Sequence, residues 1–160
     1  MVKIENYLNN RFFAYYINRT IKNLLKFIPQ RDLIGIEKIA VYNTFNGKNK
    51  NNAALYWEKN EKEPTLIEIS FDSVFHKMPI VLMFMPFVGR FLLASALYHE
   101  IGHHCHHSFK HGVKKKKSET FAERYKKEML QKAFWGWRLL LRPLAPFARY
   151  MANRNRSEKE

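Results

Sequence analysis

The sequence contains a single cysteine, Cys105, and its first residues have no basic segment followed by an apolar run. A single cysteine excludes a disulfide within the chain and is typical of proteins in a reducing compartment. The N-terminus also lacks the pattern of a secretory signal peptide. We therefore expect a cytoplasmic protein.

Acidic residues are scarce: the chain has 14 Asp and Glu against 28 Lys and Arg, which gives a formal net charge of +14. The excess of positive charge is unevenly distributed. Residues 1–109 contain 13 basic and 9 acidic side chains, whereas residues 110–160 contain 15 and 5. This concentration near the C-terminus predicts an electrostatic arm or face for an anionic partner.

Long hydrophobic runs are also rare, and the exception is residues 78–98, which are 21 residues with one charge, Arg90. A run of this length could cross a bilayer. However, Pro79, Pro86 and Gly89 interrupt it, and the charge lies near its middle. These features favour a loop that leads into a buried helix over a membrane span.

Apolar residues make up 46% of the 160 positions, enough for one domain with a hydrophobic core. The hydrophobic periodicity predicts an α+β fold over residues 1–132 and a basic, aromatic extension over 133–160. The predicted elements are a helix over 4–28, a strand over 33–43, a hairpin with strands in 53–59 and 65–71, a helix from about 89 to 107, and a second helix over 118–134. Ser118 is the expected N-cap of that last helix.

Residues 98–107, YHEIGHHCHH, contain five of the seven histidines. His99 and His103 are separated by one helical turn, with Glu100 between them in the pattern H-E-x-x-H. Both imidazoles can then bind one zinc ion, while Glu100 acts as general base on a zinc-bound water. The alternative is a helix face that carries ordinary histidines.

A catalytic zinc ion needs a third protein ligand. Zinc enzymes of the class H-E-x-x-H-x-x-G-x-x-H have a further histidine six residues after the motif. That class is excluded, because position 109 is Phe109. Glu119 lies sixteen residues after His103, in the segment ETFAE that opens the next predicted helix. A carboxylate at the start of a helix is also favoured by the helix dipole alone, so both interpretations of Glu119 stay open here.

The pair HEIGH and ETFAE, within residues 96–125, resembles the motifs of the gluzincins, in particular the minigluzincins and the ImmA/IrrE-type metallopeptidases. The resemblance implies a zincin-like fold, Glu119 as the third zinc ligand and Glu123 as a carboxylate behind a liganding histidine. Glu123 departs from the more common aspartate, and an ion pair with Lys127 would also explain it. In gluzincins a strand edge binds the substrate backbone, and residues 65–71 are similar in position.

The remaining histidines of this region are expected to be solvated side chains around the metal site; they are His104, His106, His107 and His111. Cys105 lies on another side of the predicted helix, and we expect a small buried residue.

The leading interpretation is a zinc-dependent metallopeptidase with Zn²⁺ as cofactor and a peptide or protein as substrate. The alternative is a non-catalytic zinc-containing basic protein that binds an anionic membrane surface or nucleic acid. Residues 133–152 could provide a peripheral membrane contact, because Arg138, Arg142 and Arg149 would share one helix face with Trp135 nearby. The same tail could instead pack on the domain or fill the cleft of a latent form.

Overall fold

The structure is a computed structural model, and it describes residues 2–58, 65–76, 78, 86–109 and 115–136. Strands and helices are mixed along this part of the chain, which confirms the predicted α+β class. The elements are β1 (Lys3–Asn6), α1 (Arg11–Leu25), β2 (Lys38–Tyr42), β3 (Ala54–Trp57), β4 (Leu66–Ser70), α2 (Phe71–Val74), α3 (Pro86–Phe109) and α4 (Lys115–Ala133). Short 3₁₀ turns occupy Gln30–Leu33 and Gly47–Asn49.

The four strands form one sheet in the order β1-β2-β4-β3. Strands β1, β2 and β4 are parallel, and β3 is antiparallel to β4. The predicted hairpin of β3 and β4 is confirmed, although its turn lies outside the described residues. The prediction of three strands is wrong because β1 adds a fourth. Strand β4 has partners on both sides, so the edge strands of the sheet in the described residues are β1 and β3, and β4 is not an edge.

The predicted N-terminal helix over 4–28 is wrong at its beginning. Residues Lys3–Asn6 pair with β2 instead, and the helix begins only at Arg11. Asn10 fixes this start, because its side-chain oxygen accepts hydrogen bonds from the N–H groups of Phe12 and Phe13 at 2.9 and 3.2 Å. A side chain that satisfies two otherwise unpaired helix N–H groups is an N-cap.

The strand predicted over 33–43 is shorter than expected, since β2 covers only Lys38–Tyr42. The chain reaches it from a 3₁₀ turn through Gly35, whose φ of +94° is a conformation that favours glycine.

The core combines the inner sides of α1 and α3 with the central strands. Its most deeply buried aliphatic residues are Ile17, Ile21, Leu24, Ile39, Val41, Ile67, Ile69, Leu93, Leu97 and Ile101. Tyr98 is also fully buried, and its hydroxyl donates to the carbonyl of Leu24 at 3.0 Å. Helix α3 is thus fixed to the rest of the fold both by apolar packing and by a hydrogen bond to the end of α1.

The hydrophobic run 78–98 enters α3 at Pro86, and residues 79–85 lie outside the described part of the chain. The part of the run inside α3 includes the buried residues Leu93, Leu97 and Tyr98, as expected of a buried helix. Among the described residues, no helix has both the length and the apolar character that a membrane crossing requires.

Helices α3 and α4 come into backbone contact where Gly102 meets Ala122. A Cβ atom on Gly102 would lie 2.7 Å from Ala122 Cα and 3.1 Å from its carbonyl oxygen. Such distances are too short for any side chain, so a glycine is required for this approach.

Helix α4 begins at Lys115, three residues earlier than predicted, and it ends at Ala133. Ser118 therefore lies inside the helix and is not its N-cap. The helix packs through Ala122, Tyr125 and Met129, all of which are buried. Residues 137–160, which include most of the predicted extension, lie outside the described residues.

We expect Gly102→Ala to lower the free energy of unfolding by about 1–3 kcal/mol, because the added methyl group overpacks the helix contact. The matched control is Gly136→Ala, since no described atom lies within 4 Å of a Cβ at that position. Urea unfolding in the presence of a chelator measures both variants without any contribution from bound metal. Equal stability of the two variants would contradict the close contact.

Candidate metal centre

Three side chains that the sequence singled out converge at the crossing of α3 and α4. His99 Nε2 lies 3.1 Å from His103 Nε2 and 3.5 Å from Glu119 Oε2, and the third separation, from His103 Nε2 to Glu119 Oε2, is 3.7 Å. These atoms form a group that could hold a metal ion. Ligands about 2.0–2.1 Å from a tetrahedral zinc ion are about 3.3–3.4 Å apart, so the donor set and its spacing fit zinc.

The position of each ligand atom follows from the local structure. His99 and His103 project from the same side of α3 because they are one turn apart, and their rings are 4.7 Å apart and nearly perpendicular. Glu119 comes from the first turns of α4, three residues before Ala122. The Gly102–Ala122 contact therefore brings the carboxylate within reach of both imidazoles.

Ser118 supports the second histidine, a role that the sequence analysis missed. Its Oγ lies 3.0 Å from His103 Nδ1, and the serine is buried. When Nε2 of His103 faces the point between the three candidate ligands, Nδ1 carries the proton and donates it in a hydrogen bond to the Ser118 oxygen. An acceptor behind a liganding imidazole fixes its tautomer and orientation. The sequence could have indicated this role, because Ser118 directly precedes the candidate ligand Glu119.

Glu123 lies beside the first histidine. Its Oε1 is 3.1 Å from Nδ1 of His99, and the same oxygen pairs with Lys126 Nζ at 2.7 Å. The approach to His99 is close but not aligned as a hydrogen bond, and Nδ1 has no hydrogen-bond partner in the described part of the chain. The lysine partner is Lys126, not Lys127.

The ionisation of His103 also suits a ligand. Burial, followed by the neighbouring His99, lowers the pKa of the His103 imidazole. The neutral form, which is the form that binds metal, is therefore favoured at neutral pH.

Glu100 is buried, with 9% of its surface exposed. Burial, and after it the Glu119 carboxylate, raise the pKa of its carboxyl group to about 7, although the Tyr56 backbone acts to lower it. A cation bound by His99, His103 and Glu119 would act in the opposite direction, because a nearby positive charge favours the ionised form.

The other histidines of α3 differ from the expectation of solvated side chains. His104 is buried, and its Nε2 donates to the Ile34 carbonyl at 2.9 Å while Nδ1 lies 3.3 Å from the Tyr56 hydroxyl. His106 is also buried and packs against Phe121. The prediction is therefore wrong for these two, because both find partners in other parts of the fold.

The prediction of a small buried cysteine is confirmed, since Cys105 is buried in the core. Burial raises the pKa of its thiol to about 12. His107 is partly exposed, and His111 lies outside the described residues, as do Arg138, Arg142 and Arg149 of the tail.

A cleft of about 460 Å³ lies beside the histidines, between the start of β3 and α3. Residues 51–54 line one side, His99 and Glu100 line the other, and Glu123 and Lys126 contribute from α4. Its size is within the range of ordinary ligand sites.

Comparison of the chain with protein-family models, curated proteins and solved structures finds no match. Function is therefore inferred from the geometry of the site itself.

We expect the purified protein to contain one zinc ion per chain, and Glu119→Ala to lose it or hold it more weakly, because only two ligands remain. Elemental analysis after dialysis against a weak chelator measures the content. Glu128→Ala is the control, since Glu128 pairs with Lys132 on the same helix, away from the histidines. Equal zinc content in both variants would exclude Glu119 as a ligand.

Ser118→Ala should weaken zinc binding about 10- to 100-fold, because His103 loses the acceptor that orients its ring. Thr120→Ala removes a hydroxyl group that bonds only to the Lys116 carbonyl among the described residues, and it should leave the affinity unchanged. Competition with a chromogenic chelator gives both dissociation constants. An unchanged constant for Ser118→Ala would show that its hydrogen bond has no effect on the site.

Proposed function

We propose that this protein is a zinc-dependent metallopeptidase of the gluzincin type. The observation that carries the proposal is the convergence of His99, His103 and Glu119 next to the buried carboxyl group of Glu100. The donor set and the placement of a carboxylate directly after the first histidine are what metal-assisted hydrolysis requires.

The protein supplies the ligands and their orientation. His99, His103 and Glu119 would hold the ion, and Ser118 and Glu123 lie behind the two imidazoles. When bound, zinc lowers the pKa of a coordinated water to about 7 and polarises the carbonyl group of the substrate.

Glu100 is the proposed general base. Its carboxylate accepts the proton of the attacking water and afterwards donates it to the leaving amine. The side chain is buried beside the Tyr56 backbone, which limits its orientations next to the candidate ligands.

The edge of β3 is the proposed binding site for the substrate backbone. The Ala53 carbonyl accepts from the Ser70 N–H at 2.9 Å, so it points towards β4. Neighbouring residues of a strand alternate in direction, so the N–H and C=O groups of Ala54 point away from β4. Ala54 also lines the cleft. A peptide in the cleft can add to this edge as a further strand.

We expect Glu100→Gln to retain zinc but to lose hydrolytic activity by a factor of about 10²–10⁴, because the amide cannot accept the proton. Cleavage of fluorescein-labelled casein and of a peptide library measures the activity, and elemental analysis measures the zinc. Glu128→Gln makes the same chemical change outside the site and should be fully active.

Full activity of Glu100→Gln would disprove the proposed mechanism. A wild-type protein that holds zinc but cleaves no substrate would instead support a structural role for the ion.

A further inference from the structure

The exposed side of α1 carries only cations and aromatic rings. We call this surface the outer face of α1. It consists of Arg11, Phe12, Tyr15, Arg19, Lys22 and Lys26.

These residues form one continuous surface. At about 100° per residue they fall within an arc of about 100° on the helix. The buried residues Ile17, Ile21 and Leu24 lie on the opposite side, in the core. The fold therefore fixes the orientation of the outer face towards solvent.

The two aromatic rings on this face are unusually exposed, Phe12 at 62% and Tyr15 at 67%. They lie between and beside the cationic positions. Exposed aromatic side chains that interrupt a charged surface are typical of interaction sites.

The cations of this face have no acidic neighbours in the sequence, because there is no Asp or Glu between Glu5 and Asp32. Within the described part of the chain, none of the four forms an ion pair with a carboxylate. Both signs of charge are normally interspersed on the surface of a soluble domain. The outer face is therefore complementary to an anionic surface.

We propose that the outer face of α1 docks on an anionic membrane surface. Lys and Arg side chains near anionic lipids each strengthen binding about fivefold. Rings such as Phe12 and Tyr15 embed at the level of the headgroups. The lipid surface is favoured over nucleic acid because the exposed Phe12 ring is entirely apolar and can be buried at the level of the lipid headgroups.

The test uses the full chain and vesicles of phosphatidylcholine with or without phosphatidylglycerol. We expect sedimentation with the anionic vesicles only, and a loss at higher salt. Arg19→Gln combined with Lys22→Gln should weaken binding about 25-fold. Phe12→Ser combined with Tyr15→Ser should also weaken it, although the net charge is unchanged.

The control is Lys116→Gln combined with Lys117→Gln, which removes the same charge from exposed positions at the start of α4. It should retain most of the binding. An equal loss of binding in the Arg19/Lys22 variant and in the Lys116/Lys117 control would mean that binding follows total charge, and the proposal would be wrong. Absence of binding to the anionic vesicles, or α1-dependent binding to duplex DNA alone, would also overturn it.

Discussion

The candidate metal centre depends on the distance between two helix backbones. Gly102 and Ala122 touch without an intervening side chain. The α4 residues that contact His99 and His103 lie within four positions of Ala122. Ser118, Glu119 and Glu123 lie on the same side of α4 as Ala122, so one helix separation positions the carboxylate and both groups behind the imidazoles. A wider crossing would disturb all three contacts together.

A second constraint joins this helix pair to the sheet. Glu100 is buried, and a buried carboxyl group is costly unless it is hydrogen-bonded. The Tyr56 backbone is the neighbour that lowers the pKa of this carboxyl group, and the Tyr56 hydroxyl lies 3.3 Å from Nδ1 of His104 on the same helix. The edge strand is thus attached to α3 at consecutive turns. A carboxyl group with a pKa shifted by burial and by a neighbouring charge, beside a cleft, is typical of functional sites.

The sequence predicted those features that are determined within one element. His99 and His103 face the same way because of helical periodicity, Cys105 is buried for the same reason, and the β3–β4 hairpin joins neighbouring segments. The incorrect predictions concern residues whose contacts are with residues distant in the sequence. Strand β1 was missed because its four residues continue the helical spacing of α1 and are held by β2. The burial of His104 likewise depends on Ile34 and Tyr56, far away in the sequence.

The three candidate ligands lie within 21 consecutive positions, from 99 to 119, on two helices that follow each other directly. Bringing them together closes only a short loop, and a short loop has a low entropic cost. The contact of Glu100 with Tyr56, in contrast, spans more than forty residues and exists only once β3 has joined the sheet. The candidate metal site and the cleft therefore depend on contacts of very different sequence separation, so metal content alone does not measure whether the sheet and the cleft have formed.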